Sequence, residues 1–557
     1  MKRVHVLACA WIAVGALTAI APVHAADDPH AMHAMGSDMK SVPLFGDLGP
    51  RHHAIRTSSA EAQRYFDQGM NLMWAFNLGE AQHSFEQAAK LDPDCAMCWW
   101  GVAMSLGPHI NLPAIPDRTV AAAHAVKEAV ARETRASDEE KALIEALTKR
   151  YADPAPTDPA AQMALDQGYA DAMREVAKRW PDDMDVQALS VEALLDLRPW
   201  DYWTPDGKPQ PGTEEILSSL ERILKRDPNH PGANHYYIHA VEASSHPERA
   251  LAAARRLETL MPGAGHMVHM PFHIYLRTGD YARAELANQN AVAADEAYAK
   301  RVTPPDMMHM YIGHDYQSLS FTQMMQGKSA AAIANARVVA RWVTPEMMGM
   351  MPGVDFFAAA EDFTLARFGR WDQILALPAP PAGFPYLAGV RHHTRGLAFA
   401  GKGDFAHAEA EHDSLKTLLG VIPADLPEGF NSVKALLGIA ELALTGEIAA
   451  RRGHSDEAIA ALQRGAAAED SLRYDEPPDW PNPVRLALGD ALIAAGRIAD
   501  AEAVYHEALL VHPSDGWALR GVAECGRRSR AKEAGEMEKE FKHAWANADV
   551  KLPGSHF

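Results

Sequence analysis

The chain has 557 residues, beyond the roughly 250–300 at which a single hydrophobic core stops growing, so it needs several domains or a repeat array. Its 73 acidic against 53 basic residues give a formal charge of −20, which excludes a general nucleic-acid binder, and 48% hydrophobic content excludes bulk disorder. Histidine is the unusual component: its 27 copies outnumber Trp (12) and Tyr (14) combined, beside 24 Met.

In chain order, residues 1–25 read as a secretory signal peptide. Lys2 and Arg3 supply the positive start, Val6 to Ala21 the apolar stretch, and Val23-His24-Ala25 a small-residue cleavage site. Cys9 precedes most of the apolar stretch, so it does not make a lipidation site. Losing Lys2 and Arg3 takes the charge from −20 to −22. No later segment has the apolar length to span a bilayer. The mature chain is therefore expected to be soluble and periplasmic or secreted, with no stable membrane insertion. Residues 26–58 read as a flexible tail carrying His30-Ala31-Met32-His33-Ala34-Met35.

Cleavage would leave Cys95, Cys98 and Cys525, too few for a disulfide framework. Cys95-Ala96-Met97-Cys98 opens an apparent helix. It reads first as a local disulfide or two packed thiols, with a redox or metal role as the alternative. Trp99 follows where a haem-attachment motif has His.

Tyr65, Gly69, Leu72, Ala81, Phe85, Ala88 and Pro93 set a pattern that Gly489, Leu492, Ala501, Tyr505, Ala508 and Pro513 repeat at the same offsets. Small residues allow two helices to cross closely, bulky ones fill the gap, and Pro ends the second helix. Pro228 and Pro262 close two successive units 34 residues apart. Gly279 with Ala284, Gly327 with Ala332, Gly403 with Ala408 and Gly453 with Ala458 repeat a turn-then-alanine spacing, so at least seven units are visible. Over most of residues 60–530 the sequence resembles the tetratricopeptide repeat (TPR) superfamily. More narrowly it resembles a group of exported bacterial TPR proteins with stretches such as Asp92-Pro93-Asp94-Cys95-Ala96-Met97 and His235-Tyr236-Tyr237-Ile238-His239. The resemblance implies an all-α fold, a TPR-type helical-hairpin solenoid wound as a right-handed superhelix with long loop insertions. It implies export but no reaction.

The predicted layout is N-terminal TPR-like helices over 59–198, a Pro/Trp-rich loop at 199–212 and central units over 213–342. A Met/Pro-rich insertion and helix follow at 343–388, then C-terminal units over 389–530 and a closing helix and tail at 531–557. Gly107 to Asp117 forms another Pro-rich loop. Met307-Met308-His309-Met310 and Met347-Met348-Gly349-Met350-Met351 mark insertions of the kind that more often carry function than decoration.

The repeat register locates the histidines. With the Gly69 and Gly489 position numbered eight, His235 and His269 occupy position five and His239 and His273 position nine of adjacent units. Glu242 takes position twelve, His266 and His314 position two, and His393 position five of a later unit. Positions two, five, nine and twelve share one helix face. In TPR proteins that face lines the concave groove, so two neighbouring helices would aim up to five imidazoles and a carboxylate into one hollow.

Imidazole and carboxylate suit Zn, Fe, Ni or Cu, and nearby Met267, Met270 and the Met-rich segments tilt the choice to copper, then zinc or iron. The leading expectation is an exported TPR protein holding a transition metal through His235, His239, Glu242, His266, His269, His273 and His314. A second reading is a metal-dependent enzyme using His235, His239 and Glu242 as a two-His, one-carboxylate set. The third is a metal-free scaffold whose groove captures a protein or peptide. No HExxH, Walker loop, GxSxG or strand-linked GxGxxG occurs, and no catalytic residue is assigned.

Overall fold

A computed structural model describes residues 42–302, 306–351 and 353–557 of the chain, without the side chains of 306 and 307. The expected signal peptide and the segment His30–Met35 lie outside the described residues. The fold is all-α: among the described residues there are 26 α-helices and one short strand pair, Pro427–Glu428 with Asn431–Ser432. No helix among them is long and apolar enough to cross a membrane.

The repeat signature has a direct packing cause. The Phe85 ring of helix Leu78–Leu91 lies over Gly69 of the preceding helix, Ala60–Trp74, and Gly101 of the following one, Ala96–Leu106. A methyl at either glycine would overlap the ring. Tyr505 repeats this between Gly489 and Gly521. The alanines at the close-crossing position, Ala284, Ala332, Ala408, Ala458 and Ala501, are all fully buried.

The turns follow the same logic. At Gly279 the backbone is left-handed (φ 76°), and the next N–H, of Asp280, donates 2.8 Å back to Tyr275 O. That bond satisfies a helix-end carbonyl, and only glycine takes such a conformation without strain. Asp404 to Phe399 O beyond Gly403 is the same device.

Three expectations need correction. The chain packs well before residue 59: the folded body begins at Leu44, Leu48 is buried, and Arg51 and His53 bond Asp185. The ionised Asp185 outbids solvent for that segment, which composition alone reads as a tail. Second, the array folds back on itself, so its inner face is covered. Trp517 Nε1 donates 2.9 Å to Met324 O, Arg277 Nη1 donates to Val511 O, and Gly279 packs on the Pro513 backbone. Third, the closing segment is tucked in: Ser555 bonds Leu486 O and Tyr505, and His556 pairs with Glu447 and Asp490.

Cys95 and Cys98 are disulfide-bonded at the start of helix Ala96–Leu106, and Cys525 is a buried free thiol. Met267, Met270, Met308 and Met348 pack in the hydrophobic core.

Emptying the Phe85 site should cost about 3–5 kcal/mol. In urea denaturation, Phe85→Ala is expected to fall by that amount. Replacing Met350, which is 65% exposed, by Ala should change stability by less than about 0.5 kcal/mol. Equal effects would contradict the packing account.

Candidate metal centre

Helix Pro231–Val241 carries His235 and His239 one turn apart, and Glu242 follows with its N–H still bonded to Ile238 O. The next repeat supplies His266 and His269 on Gly265–His269. Pro271, which lacks an N–H, divides that helix from Pro271–Arg277, the carrier of His273. Helix Asp306–Met325 adds His314. All but His314 are buried.

These side chains form two triads. His235 Nε2 is 3.1 Å from both His239 Nε2 and His266 Nε2. His269 Nε2 is 2.9 Å from His273 Nε2 and 3.1 Å from His314 Nε2. Within each triad one ring nitrogen per residue lies within 4.8 Å of the others. The triads are neighbours, with ring centroids 5.7 Å apart for His239 and His273 and 6.0 Å for His266 and His269.

Three of the rings are anchored on their far side, whereas His266 Nδ1 has no partner. His235 Nδ1 donates 2.6 Å to Trp74 O, an atom that can only accept. His239 Nδ1 bonds Glu242 Oε1 at 2.7 Å, and His269 Nδ1 bonds Asn288 Oδ1 at 2.8 Å with Asp315 Oδ1 at 3.0 Å. His273 Nδ1 lies 2.7 Å from Glu242 Oε2. Rings that donate from Nδ1 present a bare lone pair at Nε2. His235 and His239 therefore place two lone pairs 3.1 Å apart, which no hydrogen bond explains.

Protonation does not relieve the contact. Burial pushes His235, His239, His266 and His269 below the usual imidazole range and His314 down to about 3, with the neighbouring rings adding to the effect. Burial alone would raise Glu242, but His273 and the bond from His239 overcome it and hold the carboxyl at about 2. The result is an ionised Glu242 beside the His235–His239 pair, whose Nε2 lone pairs converge. Two nitrogens 2.9–3.1 Å apart, each about 2.0 Å from one ion, would subtend about 93–102° there, compatible with distorted tetrahedral coordination. The donor types would suit a metal ion in each triad, with Glu242 then the outer partner that orients His239.

Glu242 thus stands behind the rings, apart from the Nε2 centre, so the two-His, one-carboxylate set does not assemble around one point. His393 is elsewhere: its Nδ1 bonds Ala440 O and its ring meets Trp480. A third group, His53 with Asp183 and Asp185, is an ion-pair hub, since Arg51 and His53 already bond Asp185 and His230 lies 3.1 Å from it.

Residues outside the repeat face complete the site. The Phe76 ring lies 4.5 Å from His235 and 5.6 Å from His266, and His109 lies 4.3 Å from Phe76. Trp200 sets its ring on His239 at 5.0 Å, Tyr311 meets His266 at 4.7 Å, and Phe357 meets His314 at 6.0 Å. Phe76 and Trp200 are two of four non-glycine residues with left-handed backbone among the described residues (φ 55° and 60°). Bulky side chains rarely adopt that conformation, and such strain concentrates at functional sites. Trp200 falls in the Pro/Trp-rich loop that the sequence marks, whereas no sequence pattern marks Phe76.

No protein-family model matches the chain, and no curated protein matches it. Among solved structures it is similar to the APC/C hetero-tetramer Cut9–Hcn1, at 12% identity over 88% of this chain and 74% of that one, TM-score 0.30. It is also similar to the human IFIT1 dimer with m7Gppp-AAAA, at 11% identity over 86% and 95%, TM-score 0.35. Yeast Tom70 overlaps at 11% identity over 87% and 93%, TM-score 0.29. These likenesses carry no argument about the chemistry of the triads.

The tautomers are directly observable. Nitrogen NMR of metal-free, histidine-labelled protein is expected to show His235, His239 and His269 protonated at Nδ1 and bare at Nε2. Protonation at Nε2 of His239 would contradict the lone-pair geometry.

Proposed function

We infer that this is an exported TPR-type protein whose inner face holds a pair of transition-metal ions, copper first, one per histidine triad. The observation that carries the reading is the meeting of the His235 and His239 Nε2 atoms, whose rings are both anchored through Nδ1, as ligating histidines are. Imidazole ligands suit Cu, Zn, Fe and Ni, and copper binds such sites most strongly of the divalent series. The core-packed methionines contribute nothing to that preference, which now rests on imidazole alone. Three protein ligands per ion leave a coordination position open, the arrangement of a reactive centre more than of a saturated structural one. A metal-dependent enzyme is accordingly the second reading, and the covered inner face disfavours an open groove for a peptide partner.

Elemental analysis of untagged protein from its native compartment is expected to find about two ions per chain, mainly copper. His239→Ala with His273→Ala should remove one ligand from each triad and lose most of that metal. Glu242→Gln should weaken binding by about 10–100-fold. Unchanged content and affinity in both variants would reject the reading. Helices in a repeat array are held by stacking, so chelation should leave the helical circular dichroism nearly unchanged. Loss of most of that signal would contradict a metal site built upon an independently stable scaffold.

A further inference from the structure

The two triads form one continuous cluster of rings. Across the boundary between them, His239 and His273 lie 5.7 Å apart and His266 and His269 6.0 Å apart, centroid to centroid. Within the triads the outer pairs are no closer: 6.2 Å for His239 with His266 and 6.3 Å for His273 with His314. An ion in one triad would be the immediate neighbour of an ion in the other. A ligand at the open position of one then faces the second.

The donor set narrows what that ligand is. It consists of six imidazoles and no carboxylate, because Glu242 and Asp315 meet the rings at Nδ1, away from the Nε2 centres. Metals that favour oxygen donors, such as Mg and Mn, are poorly served by it, whereas imidazole suits copper. Neutral rings also cancel none of a buried cation's charge, which favours the singly charged copper(I).

Access narrows it further. A neighbouring cleft of about 500 Å³ has room for an organic molecule. Trp200, which touches His239, and Tyr474, which donates to Glu242, are among its walls, but none of the six histidines is. The cavity that does reach a triad residue, His266, measures about 20 Å³, and its walls are mostly apolar: Phe45, Leu48, Leu72, Ala75 and Met308. That is space for one very small molecule.

We propose that the paired triads bind dioxygen, one molecule between two copper(I) ions. The proposal rests on the metal reading above and adds its substrate. Dioxygen is small and apolar, as the space beside His266 requires. Each copper(I) gives it one electron, the O–O double bond becomes single, and the products are bound peroxide and two copper(II) ions. No proton or further reductant is consumed. Zinc in the same ligands has no electron to give, and a lone copper(I) has only one.

The test loads the protein with copper(I) without air, counts the copper by elemental analysis and then admits dioxygen. The expected uptake is one dioxygen per two coppers. The oxidised pair should be silent in electron paramagnetic resonance, since adjacent copper(II) spins cancel through a shared ligand. His273→Ala with His314→Ala disables the second triad. With native circular dichroism retained, that variant should keep one copper, lose the uptake and, once oxidised, show the full signal of an isolated copper(II). Two bound coppers without dioxygen uptake, or with the full signal of two independent ions, would overturn the dioxygen inference and leave the metal reading standing. Undiminished uptake per copper in the variant would do the same. Wild-type protein that binds fewer than two coppers would overturn the metal reading itself, and this inference with it.

Discussion

The arrangement of the centre depends on one constraint: the outer nitrogen of each anchored imidazole is committed to an acceptor. Trp74 O, Glu242 and Asn288 hold His235, His239 and His269 from behind, and the inner nitrogens are left without protons. Neutral rings would ordinarily rotate away from such a lone-pair contact. Here His235, His239 and His269 are buried and held from behind. Glu242 has the most leverage, because one buried carboxylate stands behind a ring of each triad. Burying a charge is costly unless a partner compensates it, and a cation between the rings would supply that compensation.

The scaffold makes this strained arrangement affordable. Helix pairs are locked by Phe85 over Gly69 and Gly101 and by Tyr505 over Gly489 and Gly521, and the Gly69 helix ends at Trp74, whose carbonyl holds His235. Against that background the protein tolerates left-handed backbone at Phe76 and Trp200 and places their rings over the triads. Trp200 touches His239 and Tyr474 donates to Glu242, and both residues also line the neighbouring cleft.

Much of this was legible before any coordinates. The offsets between Gly, Ala, Tyr or Phe and Pro define helix pairs because close crossing needs a small residue opposite a large one, and that requirement is local. The same register brought His235, His239, His266, His269, His273 and His314 onto neighbouring inner faces. What stayed hidden depends on contacts between residues distant in sequence. Trp74 is 161 positions from His235, and Tyr474 is 232 from Glu242. Glu242 shares the histidine face but reaches only as far as their Nδ1 atoms, a depth that periodicity does not encode. Composition marked 44–58 as a tail because its anchoring partner, Asp185, lies more than a hundred residues away. A repeat-based expectation of an open groove likewise misses the return of the C-terminal units across it.

The most direct measurement is anomalous diffraction at the copper edge from crystals of the metal-loaded protein. The account requires two peaks, one about 2.0 Å from the Nε2 atoms of His235, His239 and His266 and one likewise placed among His269, His273 and His314. Crystals with no anomalous signal at either triad, or with copper held through Nδ1 or at a surface histidine, would contradict it.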